Sequence, residues 1–553
     1  MPTLFRNCEI FTAGATGPAQ AIVVHGDRLA WVGDIATAER MAGDNPNVID
    51  LAGGFVVPGF IDAHTHLLSM GQALQKVHLV DAGDLDEIQR RLAHARWHEP
   101  DAERILGRSW LFDQVPGGNP TRQMIDAVVS DVPVYFDAND LHSCWVNTAA
   151  LREMGITKDS PDPVGGTVER DPETGESTGL LLETAAWKYA WSALADQVSD
   201  AERDSALARA FETYLAAGVT GGIDMALTAL DLEALKRALS RGNGVLPIRV
   251  VGHWFIERTD SDDDNVGQIE QAIALAASID SPWLRVAGIK IIVDGVIDAC
   301  TAAMTEPFAD GSRPGPIWDL ESLIPVVSAA DAAGLQIAFH AIGDEASDIV
   351  LSALEHSYLK NGPRARRHRI EHLEVVKPGN AERMARLGIV ASMQPVHADP
   401  AVQSNWEAML GDDRVERGFP WTEFTEKGAK LAFGTDAPTA PHSALHNVFI
   451  ASTRRSAISP GMPPGRGLTV ELADAIAHAS RDAAWSCGAE SERGRLETGL
   501  LADFTVIDTN PFTAGPESLL SARIARTVVG GETKPGWKPK RGVIELLNSK
   551  IAS

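Results

Sequence analysis

The sequence predicts an α/β protein whose leading architecture is a (β/α)8 barrel, with a small β-domain built from both ends of the chain; a doubly wound open sheet is the alternative. Three observations make that prediction. The middle of the chain repeats one unit: a helical pattern, a glycine, then a short apolar strand. Both ends are rich in strands separated by glycine turns. Residues 78–198 keep neither rhythm and read as an insertion after the first barrel strand.

The N-terminal strands come first. Residues 4–11 alternate in polarity, and residues 21–33 place Gly26-Asp27 between two apolar runs, a hairpin signal. Residues 47–51 and 54–58 add two more strand-like pieces. Too small to fold well alone, this unit finds its partners at the other end, in residues 499–508, 522–533 and 541–547. The expected composite β-sandwich therefore spans 1–57 and 490–553.

The central units follow in order. A helix pattern at 202–217 leads through Gly218 into a strand ending at Asp224, and the same grammar returns at 323–333 with Gly334 and a strand to His340. It recurs at 381–387 with Gly388 and a strand to Met393, and at 424–427 with Gly428 and a run to Asp436. Short strands without polar alternation are buried on both faces, which implies parallel pairing and right-handed crossovers. The barrel is assigned to 58–77 and 199–489. The insertion, 78–198, is expected to overhang its C-terminal face, where active sites of such barrels lie.

Length and composition set limits on function. A chain of 553 residues suggests two or three domains, and 44% hydrophobic with 22% charged residues is ordinary for a globular protein. The formal charge of −26 argues against a nucleic-acid or anionic-membrane surface, which needs clustered Lys and Arg. One basic cluster, Arg364 to Arg369, is read as a solvated loop, with a substrate carboxylate contact as the lesser option. The N-terminus lacks a secretory pattern, and no apolar run approaches the roughly twenty residues of a membrane span. Cys8, Cys144, Cys300 and Cys487 show no Cys-x-x-Cys spacing, so buried free thiols in a reducing cytoplasm are expected. A homodimer is the simplest oligomer to expect.

The chemistry-bearing residues begin with His64 and His66. In a strand, positions i and i+2 face the same way, so both imidazoles can address one ion; ordinary hydrogen-bonded strand-end histidines are the plain alternative. His340, His372 and Asp436 each close or follow a later strand. Each has its own plain reading, as a hydrogen-bonded histidine or, for Asp436, a helix N-cap before Pro438. Lys290 sits inside the apolar run 286–293. A bare buried ammonium is costly, so it must be paired, with Asp294 or Asp298, or chemically altered.

Taken together, the pieces Gly59-Phe60-Ile61-Asp62-Ala63-His64-Thr65-His66, Lys290 with Asp294-Gly295 and Thr301-Ala302-Ala303, His340-Ala341-Ile342-Gly343-Asp344, Arg369-Ile370-Glu371-His372 and Gly434-Thr435-Asp436-Ala437-Pro438 resemble the amidohydrolase superfamily. The resemblance is to its YtcJ-like branch, which includes N-substituted formamide deformylases; residues 107–114 and 142–147 match that branch within the insertion. It implies a distorted (β/α)8 barrel holding one or two divalent ions, zinc favoured. His64 and His66 would bind one ion, His340 and His372 the other, with a carboxylated Lys290 bridging them. Asp436 would ligate and exchange a proton with bound water, whose pKa such ions lower.

The implied activity is hydrolysis of a non-peptide C–N bond, an amide or formamide of a small molecule. A mononuclear deaminase or an ester or lactone hydrolase of the same superfamily is the alternative within enzymes. The alternative from another class is a non-catalytic assembly or signalling relative. His340 followed by Ala341-Ile342-Gly343 lacks the His-x-x-Glu spacing of the deaminases, and Lys290 favours two ions. His142 is a candidate catalytic donor to a substrate oxygen, and Trp110, His397 and Trp318 are candidates for lining the substrate pocket; core or lid packing is the plain reading of the tryptophans.

Overall fold

Eight parallel strands run in chain order around the central sheet: β1 (Phe60–Thr65), β2 (Val219–Leu227), β3 (Arg249–Phe255), β4 (Leu284–Ile292), β5 (Gln336–Ala341), β6 (Arg369–His372), β7 (Val390–Met393) and β8 (Lys430–Phe433). This computed structural model describes residues 1–534 apart from 16, 18, 196 and 412. The expected strand from Arg541 to Leu547 lies outside the described residues. The sheet closes where β8 returns to β1. Thr65 bridges Ala437, the Asp436 N–H donates to the His64 carbonyl at 2.7 Å, and the His66 N–H donates to the Ala437 carbonyl at 3.0 Å.

That closure depends on one glycine. A Cβ on Gly434 would stand 2.4 Å from the His64 nitrogen, so only glycine lets the end of β8 approach β1 this closely. Register then fixes which side chains share a level. Lys290 lies beside Ala338 between β4 and β5, and His372 beside Ala341 between β5 and β6.

The helices form where the sequence signals them. Ser199 caps the helix Asp200–Ala216 in a reciprocal capping box with Glu202, and Asp319 caps Leu320–Ala332 through the Ser322 N–H. The helix Asn380–Leu387 stops at Gly388, whose φ of 70° is left-handed. Phe211, Leu323 and Met384 from these outer helices pack with Val250, Ile289 and Phe339 of the strands into one continuous core.

Both chain ends enter one seven-stranded sheet. Asn47–Pro58 is its join, pairing parallel with Thr3–Ile10 and antiparallel with Phe504–Ile507. The expected hairpin is present, with Gly26 at φ 63° between Ala21–His25 and Arg28–Gly33. This sheet is fastened to the barrel by a buried ion pair: Arg249 Nε on β3 donates to Asp503 Oδ2 at 2.7 Å, and the Gly530 N–H donates to Asp503 Oδ1 at 2.7 Å.

The insertion has its own six-stranded sheet, ordered Gly166–Arg170, Ser177–Glu183, Ser143–Val146, Val134–Ala138, Ile105–Trp110 and Val77–His78. Its core gathers Trp110, Phe136 and Trp145. Among the described residues no helix is long and apolar enough to cross a membrane.

Two sequence expectations change. The segment Arg364 to Arg369 is a solvated loop only at Arg364 and Ala365, because the barrel wall supplies acceptors to the rest. Arg366 pairs with buried Asp331, Arg367 with Glu490, and Arg369 is fully buried against Glu371, Ser392 and the Ala63 carbonyl. The thiols of Cys8, Cys144, Cys300 and Cys487 are free, but Cys300 is only half-buried.

Candidate metal centre

Every predicted ligand stands at or just beyond the C-terminal end of a barrel strand, except Lys290, which sits within β4. His64 Nδ1 lies 2.7 Å from Glu371 Oε2, and His66 Nδ1 lies 2.7 Å from the Met225 carbonyl. A carboxylate and a carbonyl can only accept, so both Nδ1 atoms carry a proton and Nε2 is the nitrogen each ring can offer to an ion. Those Nε2 atoms converge on Asp436 Oδ1, at 3.3 Å from His64 and 3.0 Å from His66. Ligand atoms of His64, His372 and Asp436 all fall within 4.8 Å of one another. His340 completes the ring of imidazoles, its centroid 4.4 Å from that of His372.

These residues fit a bound cation on grounds of their own. Among the described residues, Asp436 Oδ1 and His372 Nδ1 are buried without a hydrogen-bond partner, an expensive state for groups that nothing else satisfies. His372 and Asp436 also hold left-handed φ angles of 76° and 59°, strain that is concentrated at the point of convergence. Asp436 caps no helix: the next one, Ala444–Thr453, is capped by Ser443.

Lys290 is 2% exposed, and among the described residues no carboxylate forms an ion pair with it. Asp294 is occupied elsewhere, accepting the backbone N–H groups of Ala303, Ile342 and Gly343 at 3.0, 3.0 and 2.8 Å. Burial lowers the Lys290 pKa to about 8, against the pull of Glu371 and Asp436. The neutral amine is the form that adds carbon dioxide, so the side chain suits a carbamate.

The supporting shell is dense. Burial disfavours a charged Glu371, but Arg369 and His64 outweigh it and hold its pKa far below the usual carboxylate range. Burial and the nearby Lys290 in turn keep His64 neutral, its pKa lowered to about 4. Burial likewise holds His340 and His372 neutral, helped by neighbouring histidines and Lys290. Asp62 ties the strand carrying His64 to the segment carrying Asp436. It accepts the Thr435 N–H at 2.8 Å, the His64 N–H at 3.2 Å and the Tyr214 hydroxyl at 2.9 Å.

A cleft opens above the histidines, between barrel and insertion; Asp140 and His142 face barrel residues Asp298, His397 and Asp436 across it. His142 Nδ1 bonds Glu183 Oε2 at 2.6 Å. Burial opposes its charge, but Glu183 and Asp140 push its pKa up to about 9. His397 sits between Glu374, at 3.3 Å, and the Thr439 hydroxyl, at 3.1 Å.

The two tryptophans stand apart from this cleft. Trp110 is buried in the insertion core, donating to the Phe136 carbonyl at 2.9 Å, and borders a neighbouring cavity shared with Asp140 and Asp298. Trp318 is buried in the barrel core with Arg258 over its ring at 5.2 Å. The aromatic residue that does line the cleft, Trp406, was not singled out from the sequence. Neither were Glu371, which adjoins His372, and Glu183, which lies 41 residues from the histidine it touches. Only the fold links that last pair.

A model of the amidohydrolase family matches residues 47–534. The chain is 31% identical to the protein LONG AFTER FAR-RED 3 of Arabidopsis thaliana, over 96% of this chain and 91% of that one. It is 29% identical to YtcJ of Bacillus subtilis, which carries the amidohydrolase name, over 89% and 91%. Identity to the N-substituted formamide deformylase of Arthrobacter pascens is 28%, over 95% and 96%. Among solved structures, a metal-dependent hydrolase from Pyrococcus furiosus superposes with a TM-score of 0.70 at 26% identity, covering 92% of this chain and all of that one, 100%.

Proposed function

This chain belongs to the amidohydrolase family, and from that premise we propose that it cleaves a non-peptide C–N bond, an amide or formamide of a small molecule, with one or two divalent ions, zinc favoured. The observation that carries the reading is the convergence of two imidazole Nε2 atoms, from His64 and His66, on the buried Oδ1 of Asp436. His64, His66 and Asp436 would hold one ion, His340 and His372 the second, and carboxylated Lys290 would join them. When bound, such ions lower the pKa of water toward neutrality and polarise a carbonyl.

The chain's own residues supply the rest. Asp436 stands where His64 and His66 converge, and its ionised carboxylate, which a bound cation would favour, is the form that accepts a proton. Asp436 takes that proton from the attacking water and delivers it to the nitrogen of the breaking C–N bond, so the products are a carboxylic acid and an amine. His142, on the insertion side of the cleft, donates to the substrate carbonyl oxygen. The cleft is lined by residues of both the barrel and the insertion, so a substrate bound there would meet side chains from each.

The test is a screen of zinc-loaded protein against N-substituted formamides, N-acyl amines, N-acyl amino acids and carbamates, with Asp436→Asn as the blank. Amine release by the wild type and a loss of at least ~100-fold in the variant is the expected result. Equal turnover by the variant refutes the role of Asp436, and ester hydrolysis without amide hydrolysis refutes the C–N assignment.

A further inference from the structure

The insertion reaches the cleft through a pair of residues that the barrel alone cannot supply. His142 Nδ1 lies 2.6 Å from Glu183 Oε2, and the Glu183 N–H donates to the His142 carbonyl at 2.7 Å, so one residue grips both the ring and the backbone of the other. With Nδ1 engaged, Nε2 is the ring nitrogen left to the cleft that His142 lines. The His142 ring lies 4.8 Å from that of His340, between centroids.

Glu183 is itself held at unusual cost. It ends the strand Ser177–Glu183 at φ 53°, left-handed backbone that a residue with a side chain seldom adopts. Such strain persists where surrounding structure over-determines it, and it marks sites where position matters. Here the surroundings are the barrel loop after β4. The Thr301 hydroxyl donates to Glu183 Oε1 at 2.6 Å and accepts the Val296 N–H at 3.0 Å. A Cβ on Gly295 would lie 2.4 Å from Glu183 Oε1 and 2.3 Å from the Thr301 oxygen, so the bond exists only because residue 295 has no side chain. The Gly295 carbonyl meanwhile lies 3.1 Å from His340 Nε2 and accepts its proton. One loop therefore holds a predicted metal ligand from one side and the carboxylate behind His142 from the other.

We infer that Glu183 is the positioning residue of the hydrolytic site, fixing His142 so that its Nε2 faces substrate beside His340, and that docking of Glu183 on Thr301 sets the insertion in register with the metal centre. The inference rests on the hydrolase reading for its kinetic consequence, while the geometry of His142 is measurable without it. Glu183 touches no substrate. Its effect passes through His142, as an acceptor behind a histidine fixes ring orientation and tautomer.

The experiment uses zinc-loaded full-length protein and the formamide or amide that the wild type hydrolyses. Glu183→Ala is expected to lower kcat ~100-fold with KM changed less than about threefold, Glu183→Gln, which keeps an acceptor, to lose under ~10-fold, and Thr301→Val to fall between them. In a His142→Ala background, adding Glu183→Ala is expected to cost less than about twofold more, because the residue it positions is gone. A full further loss in that background overturns the inference in favour of a general structural role. Crystal structures of zinc-loaded Glu183→Ala and Glu183→Gln supply the readout independent of turnover: His142 turned from the cleft in the first and retained in the second supports the assignment, and an unmoved His142 in the first overturns it. A wild type that hydrolyses none of the screened compounds sinks the hydrolase reading, and the His142 orientation still decides the positioning claim.

Discussion

His64 on β1 and Glu371 on β6 meet across the barrel at 2.7 Å, 307 residues apart in sequence, and this contact decides which nitrogen of His64 is offered to a metal. Arg369, two residues before Glu371, supplies the charge that keeps that carboxylate ionised at zero exposure. Glu371→Gln keeps the shape and removes the charge. Zinc affinity, measured by equilibrium dialysis against a competing chelator, is expected to weaken ~10–100-fold; an unchanged affinity means Glu371 serves packing alone.

Lys290 separates one ion from two. Removing its nitrogen leaves His340 and His372 without an anionic partner from β4, so Lys290→Ala is expected to retain about one equivalent of zinc where the wild type holds about two. Because a carbamate forms from the amine and carbon dioxide, bicarbonate is expected to speed metal reconstitution of the wild type and leave the variant unaffected. Equal metal content in both proteins argues for a single ion and a lysine that is not carboxylated.

Gly434 is a steric prediction. The added methyl of Gly434→Ala would meet the His64 backbone at 2.4 Å, with no flexible side-chain end to yield. The seam between β1 and β8 must then open and carry Asp436 away from His64 and His66. Loss of zinc binding with the circular dichroism of the fold retained is the expected pair of results; full zinc binding shows that the seam adapts.

A second buried cluster sets acid stability away from the metal. Burial alone would raise the Asp331 pKa, but His368 and Arg366 overcome it and hold the carboxylate well below its usual range. The folded state therefore binds fewer protons than the unfolded one. Its stabilising contribution is complete above the unfolded carboxylate value of about 4 and is lost as pH falls further through the folded value. His368 is lowered chiefly by burial, and its depression adds loss of stability in the same direction, below about 6.5. Asp331→Asn strands the Arg366 charge and is expected to destabilise by about 3 kcal/mol at neutral pH, with a shallower decline in melting temperature below pH ~4 than the wild type. Parallel melting curves for the two proteins would contradict this.

How much was legible in the sequence follows from the range of each interaction. Helix stops, the Gly26 hairpin, repeated strand units and the His-x-His pair are local signals, and each appeared in place because caps, turns and strand periodicity act within a few residues. The ligand candidates were legible as residue types at strand ends. Arg364 to Arg369 misled because a run of charges looks solvated until its acceptors, Asp331, Glu490 and Glu371, are brought to it by other strands.

The sequence by itself determined the repeat of helix and strand, a β-domain built from the two ends, and which side chains could ligate a metal, because these depend on periodicity and residue chemistry. Only the tertiary structure decided which nitrogen each histidine offers, that Asp436 faces His64 and His66, that Lys290 has no carboxylate partner among the described residues, and that Glu183 stands behind His142. Those facts arise from closing a barrel and docking an insertion on it. Closure sets angstrom-scale distances between residues hundreds of positions apart, and no local pattern encodes a distance of that kind.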